Sequence, residues 1–370
     1  MLTRLFFAGD LMTARGIDHL LPHPGDPQIH EPYAQSAGDY VRLAEERNGP
    51  IPHRVDYAYP WGIALEAITS RHPQVRLVNF ETAVTQRGTP RPHGLHYRMN
   101  PANMGILEVA EIGCCSLANN HVLDWGEPGL TDTLQSLDQQ RIPHAGAGLN
   151  EVQAEAPAIL ALPGGRRMLV FAYATYDSGV PSHWAAGPDR PGVAWLADLK
   201  QASLRRVVQR IRACKRPGDL VVVSLHWGDN WDFAIPEEQI YFARDLIDEA
   251  GVDLLHGHSS HHIKGMEVYR ERLIVYGCGD LLNDYEGIAG YEQYRADLGC
   301  LYFADLAADG RLTALELVPI RRCGLRLTPL DAEERRWLRD TLERESARFG
   351  CSLKTTVSDS FTLVWPSTRH

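Results

Sequence analysis

Short apolar runs rich in β-branched and aromatic residues recur along the chain, at 5–8, 76–80, 114–118, 168–174, 220–225 and 252–255. Continuous runs of this length predict strands buried on both faces. Helical periodicity fills several of the gaps. Residues 236–250 open with Pro and two Glu, place Ile240, Ala243, Leu246, Ile247 and Ala250 on one face, and stop before Gly251, which predicts a helix. Residues 201–215 predict a basic amphipathic helix closed by Pro217 and Gly218, and 129–140 a third helix. Strands alternating with helices indicate an α/β fold.

From Met266 onward the period changes to two. EVYRERLIVYG and CLYFADLAADGRLTALELVPIRR alternate apolar with polar positions, the second around Asp309 and Gly310, a two-residue hairpin signal. The later sheet is therefore expected to be antiparallel in part. Residues 330–350 predict a charged helix capped by Asp331, and SFTLVW a last strand. No repeat or linker divides the chain, so 1–370 reads as a single domain. Two irregular stretches stand out as covers for a site: 18–62, an insertion or lid with a short helix at about 38–48, and 178–192.

The formal charge of −10 argues against a nucleic-acid or anionic-membrane surface, because those partners select clustered Lys and Arg. The start, MLTRLFFAGDLM, is broken by Asp10 and has neither a signal-peptide core nor an anchor of about 20 apolar residues, so a soluble, cytoplasmic protein without a membrane anchor is expected. Seven cysteines, scattered and without a C-x-x-C pair, indicate neither a disulfide framework nor a zinc ribbon.

The informative polar residues fall where predicted strands end: LFFAGD at Asp10, LVNFE at Glu81, SLANNH at Asn120 and His121, VVSLHWGDN at His226, and LLHGHSSHH at His258 and His261. In open α/β sheets ligands bind beyond the carboxyl ends of the strands, so these ends should meet. A single histidine near a strand is usually structural, but so many coincident ends are hard to attribute to chance. Carboxylate, imidazole and Asn carbonyl are ligands for Mn, Fe, Zn or Mg; neutral His beside ionised Asp or Glu is equally a proton-transfer set. Ser259 and Ser260 lack a nucleophile elbow. Arg15 and Arg98 are candidates to pair with a substrate carboxylate, and Trp227, with Trp231, Trp184 and Tyr176, to wall a peptide site, although core packing serves each aromatic equally well.

GDLMTARG, NFET, LANNHVLDWG, SLHWG, GHSSHH and VYGCGDLLNDY together resemble the CapA family, the poly-γ-glutamate capsule biosynthesis proteins related to calcineurin-like metallophosphoesterases. The resemblance implies a metallophosphoesterase-like four-layer α/β/β/α sandwich of two mixed sheets flanked by helices. It implies Asp10 as the first-strand metal aspartate, Glu81 as a bridging acid, Asn120 as a metal ligand, His121 as a transition-state stabiliser, and His226, His258 and His261 as late histidine ligands. The first motif reads Asp10-Leu11-Met12 where metallophosphoesterases carry D-x-H, so one metal position lacks that ligand.

Three functions fit these residues. One is metal-assisted hydrolysis or transfer at a glutamyl or peptide amide, with a peptide or poly-γ-glutamate substrate and His121 at the leaving group. A second, which the resemblance also supports, is a metal-independent peptide epimerase that uses Asp10 and His261 as its acid-base pair. The third is a non-catalytic polymer-binding component of a capsule-synthesis assembly.

Overall fold

In the computed structural model residues 2–92, 94–286 and 289–366 are described, and they form two large mixed β-sheets with helices against them, besides two small two-stranded sheets. In the first sheet β1 (Thr3–Leu11), β2 (Val75–Phe80), β3 (Cys114–Ser116) and the short strand His144–Ala145 run parallel. The second sheet has a parallel centre of β4 (Arg167–Thr175), β5 (Leu220–His226) and β6 (Leu254–His258), continued by Arg272–Val275. The strand β7 (Asp280–Leu282) pairs parallel with the end of β1. The first sheet then turns antiparallel through β8 (Leu298–Leu306) and β9 (Leu312–Arg322), joined at the expected Asp309-Gly310 turn.

The apolar runs predicted as strands occupy the centres of both sheets because they are buried on both sides. In the second sheet the residues alternate between two cores. Leu169, Phe171, Val221, Val223 and Leu255 pack with helices α3 (Gln201–Cys214) and α4 (Glu237–Ala250), while Met168, Val170, Val222 and Leu254 join the core built on the first sheet. In the first sheet Phe7 faces inward, 5.6 Å between ring centroids from His256 of the second sheet. Its neighbour Phe6 packs on Phe303, which lies under Arg71 at the end of helix α2 (Ala64–Arg71). Helix, sheet, sheet and helix thus follow one another as four layers, as the family resemblance implied. Among the described residues no helix is long and apolar enough to cross a membrane.

The segment 18–62 contains helix α1 (Ala37–Asn48), opened by a Ser36–Asp39 capping box. It is fastened from within. Arg15, which follows β1, is buried: its Nη1 lies 2.9 Å from Glu31 Oε1 of that segment, and its other face is paired with Asp284. The guanidinium also lies 3.9 Å and 4.4 Å from the ring centroids of Tyr40 and Tyr97. A candidate substrate-binding arginine is therefore spent on the fold; Glu31 and Asp284 arrive from distant parts of the chain and no exposed face remains. Removing one member of such a buried network strands the others without a counter-charge. Arg15→Met is expected to lower the unfolding free energy by about 3–5 kcal/mol in urea titrations, and an unchanged midpoint would contradict this role.

Candidate functional site

Strand register brings the polar ends together. Asp10 lies beside Asn79 of β2 and Asp280 of β7, both paired parallel with β1. His226 of β5 is in register with His258 of β6. Gly9 permits the approach of β7, since a Cβ there would fall 1.8 Å from the Gly279 carbonyl oxygen. His256 ties the two sheets beneath the site: its Nε2 lies 2.8 Å from the Ala8 carbonyl and its Nδ1 3.1 Å from Ser224 Oγ. Burial pushes the His256 pKa down to about 4, so it is a neutral strut.

Two groups of buried donor atoms share Asp10: Asp10, His226 and His258 form one, and Asp10, His261 and Asp280 the other, each with ligand atoms within 4.8 Å of one another. In the first, the Nδ1 atoms of His226 and His258 face each other at 3.0 Å, and His258 Nδ1 lies 3.4 Å from Asp10 Oδ1. Asn120 Oδ1 holds His226 Nε2 at 2.9 Å, and Ser224 Oγ holds His258 Nε2 at 2.8 Å. Burial keeps both imidazoles well below the ordinary histidine pKa, leaving neutral lone pairs. In the second, His261 Nδ1 lies 3.0 Å from Asp280 Oδ1, while Asn283 Nδ2 donates to Asp280 Oδ2 at 2.6 Å. Burial opposes charge on His261, but Asp280 and Asp10 outweigh it and raise its pKa.

Glu81 stands beside these groups. One amide, Asn79 Nδ2, donates to Asp10 Oδ1 at 2.8 Å and to Glu81 Oε2 at 2.9 Å. Burial, then repulsion from Asp280, drives the Asp10 pKa to about 7; burial, then repulsion from Asp10 and Asp280, lifts Glu81 well above the carboxylate range. Ser259 adopts φ 97°, a left-handed conformation that costs on the order of 1–3 kcal/mol in a non-glycine residue. Its amide donates to Asp10 Oδ2 at 3.3 Å. His121 is oriented by Asp124, whose Oδ2 lies 2.8 Å from Nδ1, and its Nε2 is 3.8 Å from Glu81 Oε1.

Crowded carboxylates beside neutral imidazoles are costly to bury unless cations sit among them. The donor set, carboxylate and imidazole with an Asn carbonyl alongside, is of the kind that suits divalent ions, and Asp10 belongs to both groups. Met12 takes no part: it is buried with Ala14 and Tyr97, and its Sδ lies 3.6 Å from Tyr285 Oη. Asp280 supplies the third donor of the second group instead.

The family profile described as bacterial capsule synthesis protein PGA_cap matches residues 4–285. The chain belongs to this family. A probable polyglutamine synthesis accessory protein of Mycobacterium tuberculosis is 44% identical over 365 residues, covering 97% of this chain and 95% of that protein. The PGA biosynthesis protein CapA of Bacillus subtilis is 29% identical over 208 residues, 56% of this chain and 52% of that protein. The solved 5'-nucleotidase precursor of Thermus thermophilus aligns at 15% identity and TM-score 0.43, over 91% of this chain and 58% of that chain.

Of the residues predicted for the site of this PGA_cap chain, Asp10, Glu81, Asn120, His121, His226, His258 and His261 converge. Arg98 lies elsewhere, its guanidinium 3.8 Å from the Trp125 ring centroid and its Nη2 3.5 Å from Asp26 Oδ2. Trp227 is not a wall of the site: it is buried, stacked on Tyr276, and its Nε1 donates to the Tyr276 carbonyl at 2.9 Å. Trp184 belongs to the core, and Tyr176 is exposed with its hydroxyl 3.4 Å from Glu238. Asp280, Asp124 and Asn79 were missed, although each lies inside a stretch that carries the family resemblance. Around Asn120 the 178–192 stretch comes close, since a Cβ on Gly179 would lie 3.3 Å from Asn120 Nδ2.

An acid whose pKa rises on folding holds a proton that the unfolded chain has released, so stability falls as pH climbs between the two values. For Asp10 that window runs from 3.8 to about 7. Metal-free protein is expected to lose stability across it in denaturant titrations, with a shallower slope in Asp10→Asn. Stability that rises over this window and is unaffected by the substitution would refute the electrostatic description.

Proposed function

We propose that this chain is a metal-dependent hydrolase of poly-glutamate metabolism that cleaves or transfers a glutamyl or peptide amide. The observation that carries the reading is the pair of buried donor groups sharing Asp10; in this reading Asp280 takes the place of the ligand that Met12 does not provide. The names of the relatives, a polyglutamine synthesis accessory protein and a PGA biosynthesis protein, supply the polymer class.

Asp10, His226 and His258, with Asn120, would hold one ion; Asp10, His261 and Asp280 would hold the other. Bound divalent ions supply Lewis acidity toward a carbonyl and make water acidic enough to attack it. The protein's own residues arrange the rest. Glu81, held by Asn79, keeps a carboxyl beside His121 Nε2. Asp124 binds His121 Nδ1, which fixes the ring so that Nε2 faces the site and can deliver a proton to the departing amine. The strained Ser259 amide holds the Asp10 carboxylate in place.

A second reading rests on the raised pKa values of Asp10 and His261: an acid-base pair that removes and returns a Cα proton, as in an epimerase. Both readings meet in one assay with γ-linked oligoglutamate in heavy water. Chain cleavage that is lost on chelation and restored by Mn(II), with turnover reduced about 10²–10⁴-fold in His121→Ala, is the expected result. Deuterium at Cα without cleavage, in chelated protein, would select the epimerase. Absence of both reactions would leave a polymer-binding role.

A further inference from the structure

A cavity of about 320 Å³ lies beside His261, and Trp231, Tyr291, Arg47, Arg295, Arg321 and Arg322 are part of its lining. The aromatic part is a slab: Trp231 and Tyr291 stack with centroids 4.0 Å apart and planes 3° from parallel, and Trp231 lies 5.3 Å from the His261 ring. The slab therefore adjoins the donor groups, and Tyr291 is exposed at its outer end.

The charge in this cavity runs against that of the chain, which carries −10 overall. Its three acids among the described residues, Asp297, Glu286 and Glu292, are already engaged, Glu292 by the Gly290 amide at 3.0 Å and by the charge of Arg47. Asp297 receives Arg295 through two bonds of 2.9 Å, and Glu286 accepts the Gly324 and Leu325 amides at 2.7 Å and 2.6 Å. The arginines are not all matched by carboxylates. Arg322 is buried and held by the carbonyls of Asp280, Ala296 and Leu298, with no carboxylate partner among the described residues. Arg321 pairs through Nη1 with Glu334 at 3.1 Å, but its buried Nε has no hydrogen-bond partner among the described residues. Arg47 is exposed in the last turn of α1.

A guanidinium fork matches a carboxylate in shape and charge, and a flat aromatic slab suits the apolar side of a peptide-like chain. We propose that this cavity is the subsite that recognises a free carboxylate on the acidic chain whose amide is presented to the donor groups. This rests on the reading of the site as acting at a glutamyl amide, and adds that the neighbouring unit must be anionic. In a γ-linked glutamyl chain every unit offers such a group, its α-carboxylate. Arg47 and Arg321 take it, Arg322 adds buried positive charge, and Trp231 and Tyr291 support the methylene chain.

Calorimetric binding of γ-linked triglutamate to chelated, full-length protein tests the subsite without turnover. The triacid is expected to bind about tenfold or more tightly than the same trimer with its α-carboxyls converted to carboxamides, and salt should weaken the acid selectively. Arg47→Met and Arg321→Met should each reduce that preference. If Arg321→Met unfolds through loss of its Glu334 contact, the exposed Arg47→Met carries the test. Equal binding of acid and amide, no binding of either, or a preference untouched by Arg47→Met would overturn the subsite. Arginine-dependent binding without any reaction in the heavy-water assay would instead overturn the catalytic reading and leave the subsite standing.

Discussion

The structure turns on the crowding of three buried carboxylates, those of Asp10, Glu81 and Asp280, where the two sheets meet. Burial and mutual repulsion push the first two toward their protonated forms. A fold that holds such a cluster must either keep protons on it or place cations in it. Neutral His226 and His258 on one side of Asp10, and His261 with Asp280 on the other, are donors that could hold divalent ions there.

The surroundings hold that arrangement in place. Parallel pairing sets Asp10 between Asn79 and Asp280, and Gly9 admits the neighbouring backbone. His256 crosses from the second sheet to the Ala8 carbonyl, so the two halves of the site cannot slide independently. Ser259 accepts backbone strain to direct an amide at Asp10. The Arg15 network clamps the 18–62 segment against the same region, and that segment in turn contributes Arg47 to the cavity beside His261.

Much of this was legible in the sequence because continuous apolar runs ending in Asp, Glu, Asn or His mark both a buried strand and the place where it opens on a ligand. Residues whose roles depend on distant partners were not legible in the same way. Asp280 follows a glycine-rich stretch, and only its pairing with β1 places it beside Asp10. Arg15 sits in a motif and reads as a substrate group until Glu31 and Asp284 close around it. Trp227 follows a site histidine directly, yet the alternation of side chains at the end of β5 turns it into the core under Tyr276. Met12 indicated a missing ligand, but nothing local disclosed that a carboxylate from another strand stands nearby.

Electron paramagnetic resonance of protein loaded with Mn(II) tests the shared-Asp10 site most directly, because ions bridged by one carboxylate are magnetically coupled. Two Mn(II) per chain with a coupled spectrum are expected, and a single uncoupled Mn(II) in Asp280→Ala. One uncoupled ion in the unaltered protein, unchanged by Asp280→Ala, would contradict a site bridged by Asp10.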